Sequence, residues 1–201
     1  MTQTLGVALK FGRAMTDTAS KMLLGGRNMA VVIAAAAMSL TASAGAQARS
    51  CANRNLEPTS ANVTQIRHAT LCLVNQQRKL RHRPRLHSSA KLTRAAASYA
   101  EEMVRDQFFD HVAPDGTTIL DRVKHVLYPQ NARMWAVGEN IGWATAGTDT
   151  PAHVVDAWMH SARHRANILR RRFREIGLGA AVGTYKGTDG TTYVADFGRR
   201  S

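Results

Sequence analysis

The chain has 201 residues, with 27 Lys and Arg against 14 Asp and Glu and a formal net charge of +13. Once a leader is set aside, the remaining length suits one domain with one sizeable core. Two cysteines allow no more than one internal disulfide.

Residues 1–28 carry Lys10, Arg13, Lys21 and Arg27 with the single acid Asp17, and they lead into the apolar run Ala30 to Leu40. A basic region, a short apolar run and then small residues make a secretory signal, with Ala44-Gly45-Ala46 and Ala46-Gln47-Ala48 both fitting the cleavage rule. Residues 1–48 are therefore expected to be the signal and cleavage region, with Met22 and Met29 as alternative starts. The apolar run is well short of the ~20 residues that span a bilayer, which excludes a permanent membrane helix there. In an oxidising compartment Cys51 and Cys72 are expected to join, closing a loop of 20 intervening residues and stabilising by ~3 kcal/mol. The rival reading, lipidation of Cys51, needs an apolar residue where Arg49-Ser50 stands. From residue 49 onward, 23 Lys and Arg face 13 Asp and Glu. That excess favours anionic surfaces such as phospholipid headgroups, teichoic-type polymers or nucleic acid.

Residues 49–60 read as a polar N-terminal arm ahead of a domain at 61–201. Val63, Ile66, Ala69, Leu73 and Leu80, widened by Leu71 and Val74, recur at helical spacing and predict a helix from Asn62 to about Leu80. Pro84 and the basic run around it end that helix. A second helix is predicted from Ser88-Ser89 to about Gln107, with Leu92, Ala95, Ala96, Tyr99, Met103 and Val104 inward. Asp115 to Thr118 forms a turn that caps a short helix from Ile119 to His125, burying Leu120 and Val123. Pro129 to Met134 reads as loop, and Thr150 caps a helix from Pro151 to about Ala162. Ile176–Val182 and Thr191–Phe197 read as strands of a hairpin, with Thr188-Asp189-Gly190 supplying the turn.

Four short motifs occur in order: Phe109-Asp110-His111 with Pro114-Asp115-Gly116, then Gly138-Glu139-Asn140-Ile141, then Trp158-x-x-Ser161-x-x-His164-Arg165-x-Asn167-Ile168-Leu169, then Glu175-Ile176-Gly177-Leu178-Gly179. This order resembles the CAP superfamily of cysteine-rich secretory, antigen 5 and pathogenesis-related 1 proteins, in its cysteine-poor bacterial branch. The resemblance implies an α+β fold, an α-β-α sandwich with a central antiparallel sheet flanked by helices. It also implies a cleft lined by His111, Glu139, Ser161 and His164, in which Ser161 stands where the family usually has a second acid.

Imidazole nitrogens and a carboxylate suit zinc, so His111, Glu139 and His164 are the candidate metal ligands and zinc the candidate cofactor, with none strictly required. The competing reading is a hydrogen-bonded polar cluster that ties three segments together. His160 and His164 stand four apart, but the glutamate of a His-Glu-x-x-His metalloprotease is absent and residue 164 is expected past the helix end. A Ser161–His164–Glu139 triad lacks any motif for an oxyanion hole or a nucleophile elbow. The run Arg170-Arg171-Arg172-Phe173-Arg174 reads as a solvated loop, and a lone Phe173 argues against base stacking and hence against nucleic acid. Trp158 is expected in the core. The chain as a whole is expected to be an exported monomeric binding module, with lipid or an anionic envelope surface as candidate partner, and no catalytic residue is assigned. The alternatives are a metal-dependent hydrolase, or a structural or host-interaction protein with a vestigial cleft.

Overall fold

The computed structural model describes residues 51–201. The signal segment, its apolar run and its cleavage sites lie outside the described residues. The elements in chain order are α1 (Val63–Lys79), β1 (His87–Ser88), α2 (Ala90–Arg105), α3 (Ile119–His125), β2 (Trp135–Thr145), α4 (Pro151–His160), α5 (Ala162–Leu169), β3 (Glu175–Tyr185) and β4 (Thr188–Arg200). No helix among the described residues is long and apolar enough to cross a membrane.

The sheet runs β1-β3-β4-β2, antiparallel except for the two-residue edge strand β1, which pairs parallel to β3. The expected antiparallel sheet thus carries one short parallel edge strand. Strand β3 reads Glu175-Ile-Gly-Leu-Gly-Ala-Ala-Val-Gly, and the alternation of a strand sends its odd positions to one face and its even positions to the other. Ile176, Leu178 and Ala180 join Tyr193, Ala195 and Phe197 in a core shared with Ile66, Leu73, Val154, Trp158 and Ile168 of α1, α4 and α5. On the other face lie Gly177, Gly179 and Gly183, where α2 passes so close that a β-carbon on any of them would meet its atoms. Ala96, Tyr99, Ala100 and Met103 of α2 pack there against Ile141, Ala181 and Val194, and Leu92 and Ala95 pack with Val123 and Tyr128. The result is the expected α-β-α sandwich.

Local signals set several boundaries. Ser89 accepts from the Leu92 N–H, Thr150 accepts from the His153 N–H ahead of Pro151, and Thr118 with Asp121 forms a capping box that starts α3. Trp158 is buried, its indole N–H donating to the Ile141 carbonyl at 3.0 Å. Other expectations are corrected. The hairpin turns at Lys186-Gly187, both with positive φ, since a two-residue loop that follows the strand twist needs that geometry; Thr188 to Gly190 belong to β4. Leu80 and Leu120 are exposed, Leu80 because α1 stops one residue before it. Strands β1 and β2 and helix α5 are additional to the predicted elements. Ser161, in extended backbone at φ −89° and ψ 122°, ends α4 and starts α5, so His164 lies beyond the end of α4, as expected, but inside a second helix that was not.

Arg78 is fully buried without a carboxylate. Its guanidinium donates to the carbonyls of Pro84 (2.6 Å), Ile168 (2.6 Å), Arg170 (3.2 Å) and Phe173 (3.2 Å), tying α1 to the segment after α5. Burial first, then the charges of Arg174 and Arg83, pull its pKa down to about 10.

Cys51 and Cys72 are joined, with Cα atoms 5.7 Å apart, so the arm is stapled to α1 and lipidation of Cys51 is not the structural solution. The exported protein should show no free thiol on alkylation without reductant. Reduction should lower stability by about 3 kcal/mol in urea unfolding. Two alkylated cysteines in the unreduced protein would contradict the pairing.

Candidate functional site

Glu139 lies in the middle of β2, opposite Asp196 of β4, which is itself opposite Gly177 of β3. Residues directly across a ladder share a face, and the bare backbone of Gly177 beneath α2 shows that this is the α2 face. The Glu139 side chain is 3% exposed, and both its oxygens are held. One is 2.7 Å from His111 Nδ1, and the other accepts from Arg122 Nη2 at 2.6 Å.

Arg122 comes from α3 and is 7% exposed. Its guanidinium carbon stands 3.3 Å from the centre of the Tyr99 ring, and Nη1 donates to the Thr117 carbonyl at 3.2 Å. The Tyr99 hydroxyl donates to the Asp110 carbonyl at 2.7 Å, which anchors the backbone that presents His111. Burial pushes the Tyr99 phenol up to about 12, so it remains a donor.

Asp196 is fully buried, and no donor reaches either of its carboxyl oxygens. Burial first, then the neighbouring Glu139, hold its pKa well above the ordinary carboxylate range. Asp196 thus stands beside Glu139, and Arg122 is the guanidinium bonded to that buried pair.

Helix α5 is fastened to β2 by two amides. Asn167 Nδ2 donates to the Glu139 backbone carbonyl and to Asn140 Oδ1, both at 3.0 Å, and Asn140 Nδ2 donates to the His164 carbonyl at 3.1 Å. This brings His164 close enough for the charge of His111 to act on its ring. The two rings are displaced in opposite directions. The bond to Glu139 raises the pKa of His111, while burial, and then His111, lower that of His164. Because the His111 pKa is raised on folding, the stability it contributes is complete below the ordinary histidine value and is lost as pH rises through the raised one.

Among the described residues no group of three or more His, Cys, Asp or Glu is arranged to hold a metal ion, and Glu139 of the expected ligand set is engaged by Arg122 and His111. Ser161 sits at the α4–α5 junction, and its hydroxyl caps neither helix end. His111 is paired with Glu139 and His164 stands apart from it, so no serine triad is formed. His160 is on α4, exposed, and bonded to Asp156, so it does not share a helix with His164. Arg122, Asp196 and Tyr99 were not expected at the site. Asp196 lies in a strand motif with no marker of its partner, and Arg122 follows a capping turn with no motif of its own.

A sequence model described as the cysteine-rich secretory protein family, CAP, matches residues 71–197, more than half of the chain. The chain belongs to the CAP family. A curated relative, the uncharacterized protein YkwD of Bacillus subtilis (strain 168), is 33% identical over 107 residues, covering 53% of this chain and 39% of YkwD. This chain therefore spans about two fifths of that relative. Among solved structures, an outer surface protein from Borrelia burgdorferi is similar with a TM-score of 0.52 at 21% identity, over 65% of this chain and 90% of that one. An extracellular protein containing an SCP domain from Bacillus anthracis gives a TM-score of 0.48 at 26% identity, over 68% of this chain and 40% of that one. The likeness to the Borrelia protein shows a shared fold.

Proposed function

We propose that this CAP protein is an exported, monomeric binding module. Its cleft presents His111 and His164 to a ligand outside the cell or at the envelope. The observation that carries this reading is the double grip on Glu139, by His111 on one oxygen and Arg122 on the other. The carboxylate is already neutralised from within. It serves to orient His111, whose Nδ1 it engages, leaving Nε2 available in a ring that is 52% exposed. The bond to Glu139 that raises the pKa of His111 inclines it to donate, and the burial that lowers that of His164 inclines it to accept, so the cleft suits a ligand that offers both an acceptor and a donor.

The donor set also suits a divalent ion such as zinc, with two imidazoles as ligands and Glu139 as the outer partner that sets the His111 tautomer. Bound there, zinc would supply an electrophile with open positions for a ligand. A hydrolytic reading would need a carboxylate free to take a proton from water, and the acids at the site are the engaged Glu139 and the enclosed Asp196.

Calorimetric titration with Zn²⁺ at neutral pH tests the arrangement. Wild type should bind, His111→Ala and His164→Ala should abolish binding, and Glu139→Gln should weaken it by about 10- to 100-fold, as loss of an orienting partner does. Equal affinities in all four proteins would remove the metal from the site. Unchanged His111 and His164 ring resonances on adding an envelope extract would remove the binding reading as well.

A further inference from the structure

One end of the sheet gathers cations from separate stretches of chain. Arg199 and Arg200 stand opposite Ala136 and Trp135 at the start of β2. The backbone N–H of Arg174 donates to the Gly198 carbonyl (2.9 Å) and that of Arg133 to the Ser201 carbonyl (2.8 Å), so the loops before β2 and before β3 both close on the last residues of β4. Arg133, Arg171, Arg172, Arg174 and Arg199 are exposed, and among the described residues none of them is in an ion pair. Glu175 is already bound to Arg200 and to the Tyr128 hydroxyl. Folding thus brings Arg133 and Arg199, 66 residues apart in sequence, into one patch of like charge, a field that favours an anionic partner.

Apolar groups stand among these charges. A cavity of about 400 Å³ is lined by Met134, Trp135, Ala136, Arg172 and Arg199. A neighbouring one of about 550 Å³ has Lys91, Arg174 and Arg200 on its wall. Met134, 69% exposed, is the most exposed large apolar side chain among the described residues. Leu127, 55% exposed, accepts on its carbonyl from Lys91 Nζ at 2.6 Å.

We propose that this end of the sheet docks on an anionic phospholipid bilayer. The arginines meet the phosphates, and Met134 and Leu127 enter the acyl boundary. A soluble polyanion satisfies the arginines but offers nothing to Met134 or Leu127. Nucleic acid would want a row of stacking rings, where Trp135 is the one aromatic lining the first cavity. The proposal is independent of the cleft, whose residues take no part in it.

Co-sedimentation with vesicles tests it, using the chain recovered after export with its N-terminus read by mass. Binding is expected to vesicles of equal phosphatidylglycerol and phosphatidylcholine, not to pure phosphatidylcholine, and to weaken steeply with salt. Arg172→Ala with Arg199→Ala should weaken binding by about 25-fold, roughly fivefold for each arginine. Met134→Asp should weaken it while Lys186→Ala, at the β3–β4 turn, leaves it unchanged. No binding by wild type to the anionic vesicles, equal binding to pure phosphatidylcholine, or unaltered binding by both patch variants would overturn the proposal. So would binding to soluble polyphosphate without binding to vesicles.

Discussion

Replacing Arg122 with Met should cost about 3–5 kcal/mol of folding stability, although the side chain has similar length and keeps much of its apolar stem. The guanidinium is the only cation bonded to the buried Glu139 carboxylate apart from the half-exposed His111 imidazole, and Asp196 lies alongside with both oxygens enclosed. Removing it leaves a charge in the interior without its partner, which is far more costly than losing an exposed pair. Adding Glu139→Gln should recover part of the loss, giving a coupling energy in a double-mutant cycle read by urea unfolding. A single variant within about 1 kcal/mol of wild type, or strict additivity of the two, would show that Arg122 does not compensate Glu139.

Gly179→Ala should be as damaging for a different reason, with a loss of ~3 kcal/mol or more. A β-carbon on Gly179 would overlap the carbonyl group of Ala96 and lie 2.6 Å from the Ala97 nitrogen. These are backbone atoms of α2, so no side chain can rotate away. The helix would have to lift from the sheet and loosen the packing of Ala96, Tyr99 and Ala100. Since Tyr99 supports Arg122, the lift should also disturb the grip on Glu139. The paired substitution of Gly177 and Gly179 should prevent folding. Gly147 provides the contrast, because a β-carbon there meets nothing and only its φ of +84° is strained. Gly147→Ala should therefore cost only about 1 kcal/mol. Thermal unfolding by circular dichroism separates these cases, and similar melting temperatures for Gly147→Ala and Gly179→Ala would refute the close-approach argument.

Much of this molecule was legible residue by residue. The bounds of α3 follow from Thr118 and Asp121, and the start of α4 follows from Thr150-Pro151, because capping acts over three or four residues and leaves a local trace. The four ordered motifs carried the family, the sandwich and the meeting of His111 with Glu139 across 28 residues. The end of α4 was expected near Ala162, but the new helix after Ser161 was not, since Arg163, His164 and Arg165 carry no apolar pattern and the fastening of α5 to β2 by Asn140 and Asn167 favours a helix there. Strand β2 escaped periodicity because its glycines and Glu139 interrupt the alternation, and its partner β4 decides its state instead. Which charge answers Glu139, why the pKa of Asp196 is raised, and where the scattered arginines converge depend on groups tens of residues apart that only packing brings together. Sequence by itself determined which residue types this protein brings to its cleft. Tertiary structure alone decided which of them are already engaged, because a buried charge is matched by whatever group the fold places beside it, not by a neighbour along the chain.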